Sequence, residues 1–153
     1  MEKDRQRMEG FYTLKGYDLA EEKGLTAAME DYLEMLWRIT KQGKEAHLKE
    51  LAQQLHVKPS SASRMMTRLR ERGYVDFQRY GAISLTDKGQ QMGKYLLLRH
   101  QVVHQFLCWL NHSQEELEQA EKVEHFLNAP TVWNLKNFLE QQDIFPKKEE
   151  SCL

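Results

Sequence analysis

The chain has 153 residues, with 22 basic and 23 acidic side chains and a formal charge of −1 with neutral histidine, enough for one ample core or two small modules that share one. That balance excludes a global electrostatic pull toward nucleic acid or an acidic membrane surface, so any electrostatic function has to be local. Two cysteines, Cys108 and Cys152, exclude a disulfide framework of the small secreted kind, and no apolar run resembles a signal peptide or a membrane span; the expectation is a cytoplasmic protein with no membrane partner.

Residues 1–24 mix six acids, five bases and three glycines without a steady apolar period, as an extension or arm would. Regularity begins at Leu25. The stretch "LTAAMEDYLEMLWRITKQG" opens on Thr26 as an N-cap, places Met29, Leu33, Leu36 and Trp37 on one stripe, and stops at Gly43, which predicts a helix with one buried face. Leu48, Leu51, Ala52 and Leu55 repeat at helical spacing, His56 and Val57 break the repeat, and Pro59 starts a further helix that carries Met65, Met66 and Leu69 inward and ends near Gly73. Two β-prone pieces, "YVDF" and "AISL", flank residues 78–81 as a hairpin. Helix, tight turn, helix and hairpin together make a winged helix-turn-helix.

After Thr86, another N-cap, "DKGQQMGKYLLLRHQVVHQFLCWLN" reads as one long helix despite Gly89 and Gly93. Ser113 is expected to cap "QEELEQAEKVEHFL", and a last helix follows Pro130. The fold expected is therefore mostly α. It divides into an extension over 1–24, a winged helix-turn-helix with a small β-hairpin wing over 25–94, and an α-helical domain over 95–153.

Charge is unevenly placed. From Lys58 to Arg79 six bases face two acids, whereas from Ser113 to Glu150 nine acids face four lysines. Ser60, Ser61, Ser63, Arg64, Thr67 and Arg68 lie on the first turns of the helix that would enter a major groove, with hydroxyl and guanidinium groups suited to phosphates and base edges, and Arg79 and Tyr80 sit at the hairpin tip. An isolated charge run is usually only a solvated face, but this one coincides with a helix-turn-helix and a wing. Double-stranded DNA is the expected partner. One such helix reads few base pairs, so a homodimer on a palindromic operator is expected as well.

A second cluster is acidic. Asp31 and Glu34 stand at i and i+3 beside the apolar stripe of the first helix, His100 falls among residues that should be buried, and Glu121, Glu124 and His125 stand at i, i+3 and i+4. Each has an ordinary explanation alone, as a solvated glutamate or a satisfied core histidine. Together they are four carboxylates and two imidazoles with no lysine cluster to pair them, a set whose burial demands a cation. Oxygen-rich donors with imidazole and no thiolate suit Mn²⁺ better than Zn²⁺ or Cu⁺. No nucleophile accompanies the cluster and six ligands leave little room for a substrate, so a binding protein is expected, not an enzyme, with no small organic substrate. His104, one turn beyond His100, is expected at the helix surface, and Trp133, Leu135, Phe138 and Leu139 in helix packing or a dimer seam.

At these residues the chain resembles the compact, manganese-sensing branch of the diphtheria toxin repressor family. The resemblance runs from about Thr26 to Glu140 and is carried by "MEDYLE", "PSSASRM", "LTDKGQQMGKYLLLRHQVVHQFL" and "AEKVEHFL" in that order and spacing. It implies that Asp31, Glu34, His100, Glu121, Glu124 and His125 form a binuclear Mn²⁺ site, two ions per subunit, between the DNA-binding and dimerisation regions of a metal-activated repressor of manganese-uptake genes. In the family's iron-sensing branch a methionine matches Asp31 and a cysteine matches Glu121, so carboxylates at both imply manganese. The chain differs in its extra arm and in lacking the SH3-like domain that longer members append.

Overall fold

The computed structural model describes residues 24–77 and 81–145; the arm over 1–23, the hairpin-tip residues Arg79 and Tyr80, and the tail from 146 lie outside the described residues. Helix α1 spans Ala27–Thr40, and the Thr26 hydroxyl accepts the Met29 N–H at 3.2 Å, as its N-cap role predicts. Met29, Leu33, Leu36 and Ile39 are buried along its inner face.

Helices α2 (Leu48–Gln54) and α3 (Pro59–Glu71) form the helix-turn-helix, with His56 in the left-handed region between them and Pro59 at the first turn of α3. Val75–Phe77 (β1) pairs antiparallel with Ile83–Leu85 (β2), Val75 opposite Leu85 and Phe77 opposite Ile83. Leu51, Ala62, Met66, Leu69, Val75 and Ile83 close a core with the inner face of α1. Each large apolar side chain so enclosed contributes about 1.5–3 kcal/mol.

Helix α4 (Asp87–Asn111) runs unbroken over 25 residues; Thr86 caps it by accepting the Gly89 N–H while donating to the Gly73 carbonyl. Its first half packs on α1 and the wing, where Leu96 belongs to the core of the helix-turn-helix module, and its second half packs on α5 (Leu117–Val123) and α6 (Ala129–Gln141), where Val103, Leu107 and Ala120 form a second core. The crossing of α1 and α4 depends on Gly93: a β-carbon there would stand 2.6 Å from Trp37 Cβ and 3.1 Å from the Leu33 carbonyl oxygen. The helices can approach this closely only because Gly93 has no side chain.

One predicted start is corrected. Ser113 caps no helix: α4 ends on His112 in the left-handed conformation, the Ser113 N–H closes on the Cys108 carbonyl, and α5 begins only at Leu117. The Ser113 hydroxyl instead donates to the Glu116 carboxylate at 2.8 Å. The segment called "AEKVEHFL" in one-letter code is also not one helix, since α5 gives way to a 3₁₀ turn over Glu124–Phe126.

Candidate metal centre and DNA-facing helix

Three elements converge on the acidic cluster. Asp31 and Glu34 come from α1, His100 from the middle of α4, and Glu124 and His125 from the 3₁₀ turn. Asp31, Glu124 and His125 offer ligand atoms that all lie within 4.8 Å of one another, and so do Glu34, His100 and Glu124. Glu124, 3% exposed, belongs to both sets. His100 Nδ1 lies 2.8 Å from Glu124 Oε2, and His125 Nε2 lies 3.1 Å from Asp31 Oδ1.

Glu121 joins neither set. The inward stripe of this segment is Ala120 and Glu124, at i and i+4, and Glu121 stands about 100° round the helix from Ala120, on the exposed side. Asp31 is also half in solvent, its side chain 53% exposed. The expectation of four buried acids is therefore corrected to two well-covered ones, Glu34 and Glu124, with Asp31 and Glu121 in contact with water.

The lack of a lysine cluster does not leave these acids without a cation, since one arginine pairs with Glu34 and a second with the neighbouring Glu30. Arg38 Nη2 donates to Glu34 Oε2 at 3.0 Å, one turn along α1, and Arg99 Nη1 donates to Glu30 Oε2 at 2.8 Å across the α1–α4 crossing. Glu30 and Arg99 carried no prediction. Each is the immediate neighbour of a residue that did, which is the only signal the chain offers for them. His104 is half-buried and not on the surface: its Nε2 accepts the Glu116 backbone N–H at 3.2 Å, tying α4 to the turn before α5. Cys108 is partly buried, with its sulfur 3.6 Å from the same nitrogen.

Electrostatics follow from these contacts. Hydrogen bonds to Asp31 and Glu30 raise the His125 imidazole from its usual 6.5 to about 9 against the opposing effect of burial. The hydrogen bond to Glu124 likewise raises His100, and burial lifts the Glu34 carboxyl above its ordinary range while Arg38 opposes the rise. Glu30, Asp31, Glu34 and Glu124 face two guanidiniums, Arg38 and Arg99. That leaves two negative charges, which two imidazolium protons or one divalent ion would offset.

The donor set suits such an ion. Carboxylate oxygens and imidazole nitrogens converge with no sulfur among them, the composition that hard and borderline divalent cations prefer. Arg38 Nε and Arg99 Nε are buried without a hydrogen-bond partner. The arginines are thus held only through the outer edges of their guanidiniums.

On α3, Ser60, Arg64 and Arg68 are exposed and Ser61, Ser63 and Thr67 are half-exposed. Thr67 spends its hydroxyl proton on the Ser63 carbonyl at 3.2 Å. The neighbouring arginines have structural roles, Arg70 donating to the Phe77 carbonyl at 2.8 Å and Arg72 to the Gly24 carbonyl at 3.1 Å. Arg64 and Arg68 have no hydrogen bond or ion pair among the described residues. Of the arginines on this helix, these two are the ones without a partner among the described residues.

Comparison with known proteins identifies both halves of the chain. Residues 24–83 match the family model of the iron-dependent repressor N-terminal DNA-binding domain, and residues 86–152 match that of the iron-dependent repressor metal-binding and dimerisation domain. The chain is 30% identical over 131 residues to the HTH-type transcriptional regulator MntR of Lysinibacillus sphaericus, covering 82% of this chain and 94% of that protein. Among solved structures it resembles the manganese regulator SloR (TM-score 0.65, 28% identity, 76% of this chain and 55% of that one). It also resembles a manganese-dependent transcriptional repressor in complex with manganese (TM-score 0.65, 29% identity, 73% and 52%). The chain thus spans about half the length of those two. Among the described residues no helix is long and apolar enough to cross a membrane.

Proposed function

The chain belongs to the iron-dependent repressor family of metal-dependent, DNA-binding transcriptional regulators, and on that premise we propose that it is a cytoplasmic repressor activated by Mn²⁺ and acting on genes of manganese uptake. Asp31, Glu34, His100, Glu124 and His125 are its metal ligands. Glu121, one turn before Glu124 on α5, would be a sixth ligand, for a second ion; a single divalent charge already matches the two negative charges that Arg38 and Arg99 leave. When bound, the metal supplies positive charge that draws carboxylates of the DNA-reading module and of the dimerisation module into one shell.

The observation that carries this reading is the sharing of Glu124 by two ligand triads that draw on α1, α4 and the 3₁₀ turn. Asp31 and Glu34 sit in the module that carries α3, whereas Glu124 and His125 sit against the second core. Holding them together restricts how α3 is aimed relative to α6. In a homodimer that restriction acts on two α3 helices, which must lie about one DNA turn apart to read both halves of a palindrome. Trp109, Leu110 and Trp133 are 41%, 52% and 46% exposed, and Phe138 stacks edge-on against Trp109. This aromatic face of α4 and α6 is the dimer seam of the reading. Ser60, Ser61, Ser63, Arg64, Thr67 and Arg68 are the DNA contacts on α3, with Arg79 and Tyr80 on the wing.

The test is selection of duplexes from a random-sequence pool by metal-stripped protein, with and without added Mn²⁺. The expected result is a two-fold symmetric motif retained only with Mn²⁺, at a ratio of two chains per duplex. Equal retention in both arms would leave a DNA-binding protein that does not sense metal, in which Arg38, Arg99 and the two protonated imidazoles neutralise the acids.

A further inference from the structure

Glu30 stands in neither ligand triad, yet it occupies the junction of the three elements. Its side chain is 13% exposed; Oε2 accepts from Arg99 Nη1 at 2.8 Å and Oε1 lies 3.3 Å from His125 Nδ1. These partners are 69 and 95 residues away in the chain. On the opposite side of the ring, His125 Nε2 points at Asp31 Oδ1, 3.1 Å away.

An imidazole that gives the lone pair of Nε2 to a cation keeps its remaining proton on Nδ1, and a covered N–H requires an acceptor. The recorded neighbours of Nδ1 are Glu30 Oε1 and, at 3.4 Å, Arg99 Nη2. A guanidinium has only donors. The carboxylate is therefore the sole acceptor of the two, and the 3.4 Å contact is a second donor flanking it. His100 is turned the other way, with its Nδ1 against the candidate ligand Glu124.

Resting on the metal-centre reading above, we propose that Glu30 is the positioning residue of that centre: it accepts the Nδ1 proton of His125 so that Nε2 faces the ion, while Arg99 anchors Glu30 and keeps it out of the coordination shell. The result is a carboxylate–histidine–metal relay whose carboxylate comes from the DNA-reading module. The adjacent residues Glu30 and Asp31 then do separate work on the same ring, Glu30 orienting it from behind and Asp31 sharing the ion with it.

The experiment uses the full chain as Glu30→Gln, Glu30→Ala and the double variant Glu30→Ala/Arg99→Leu, the last because a lone buried guanidinium can unfold the region by itself. Mn²⁺ alone is titrated with the electron paramagnetic resonance signal of free ion as readout, and side-chain ¹⁵N spectra of the Cd²⁺-loaded protein report which nitrogen of His125 holds metal. In the original chain Cd²⁺ sits on Nε2 and the proton on Nδ1. Glu30→Gln, whose amide oxygen still accepts, keeps that arrangement with Mn²⁺ affinity within about threefold. The two alanine variants bind the same number of ions about 10–100-fold more weakly, and their Nδ1 proton exchanges too fast to observe. Alanine variants that bind as tightly as the original chain would overturn the role, as would Cd²⁺ on Nδ1. Loss of a whole ion in all three variants would make Glu30 a ligand instead and overturn it too. If the original chain binds no Mn²⁺, the centre itself falls and this role with it; if it binds and the variants match it, only the role falls.

Discussion

Raising the pH from 7 to 8 should tighten Mn²⁺ binding by about tenfold, because the ion must displace a proton that the empty site holds firmly. The His125 imidazole, bonded to Asp31 and Glu30, titrates at about 9, so at pH 7 about one molecule in a hundred offers a bare nitrogen. Reaching that form costs about 2.7 kcal/mol at pH 7 and about half that at pH 8. His100, also raised through Glu124, steepens the dependence further below its own midpoint. The proton pairing acts on the metal-free fold with the opposite sign. Its folded value lies above the unfolded 6.5, so its contribution is complete below about pH 6.5 and is lost as pH rises through about 9. With Asp31 half in solvent, that contribution is screened to about 1–2 kcal/mol. Calorimetry of Mn²⁺ binding in buffers of different ionisation enthalpy counts the protons released: at least one per first ion at pH 7.5. Affinity that stays flat from pH 7 to 8.5 with no proton released would refute the participation of His125.

Gly93→Ala, which sets a methyl group against Trp37 and Leu33, should destabilise the metal-free fold by about 1–3 kcal/mol in urea titration and weaken Mn²⁺ binding as α1 is pushed off α4; unchanged stability would mean that the crossing is not tight. Glu121→Ala should leave the first Mn²⁺ affinity within about threefold, since its side chain is outside both triads, whereas Glu124→Gln, which removes a ligand, should lower it by more than the roughly 10–100-fold that loss of an outer partner costs; equal losses would place Glu121 in the primary shell. Arg64→Ala should cost about 1–3 kcal/mol of operator affinity with the number of bound Mn²⁺ unchanged, read by fluorescence anisotropy and by metal titration respectively.

Much of the architecture is legible in short-range chemistry. A hydroxyl before an apolar repeat starts a helix because it satisfies an N–H that the helix leaves open, and Thr26 and Thr86 both do so. The same reasoning misplaces Ser113, because His112 closes the preceding helix in a left-handed turn and the serine hydroxyl finds the Glu116 carboxylate first. A cap is predictable only where no neighbouring turn competes for the same atoms.

The metal centre divides along the same line. Residue types and local spacing determine by themselves that Asp31 and Glu34 share one helix face, that His100 lies in the covered stretch of α4, and that Glu124 and His125 lie next to each other further on. Which acids are covered, and by what, is decided only when α1 and α4 cross at Gly93. That crossing brings Arg99 to Glu30, while the seating of Ala120 and Glu124 against the second core leaves Glu121 in water. Periodicity constrains neighbours within a turn or two, whereas the charge balance of a buried cluster depends on groups tens of residues apart whose distances exist only after the chain has folded.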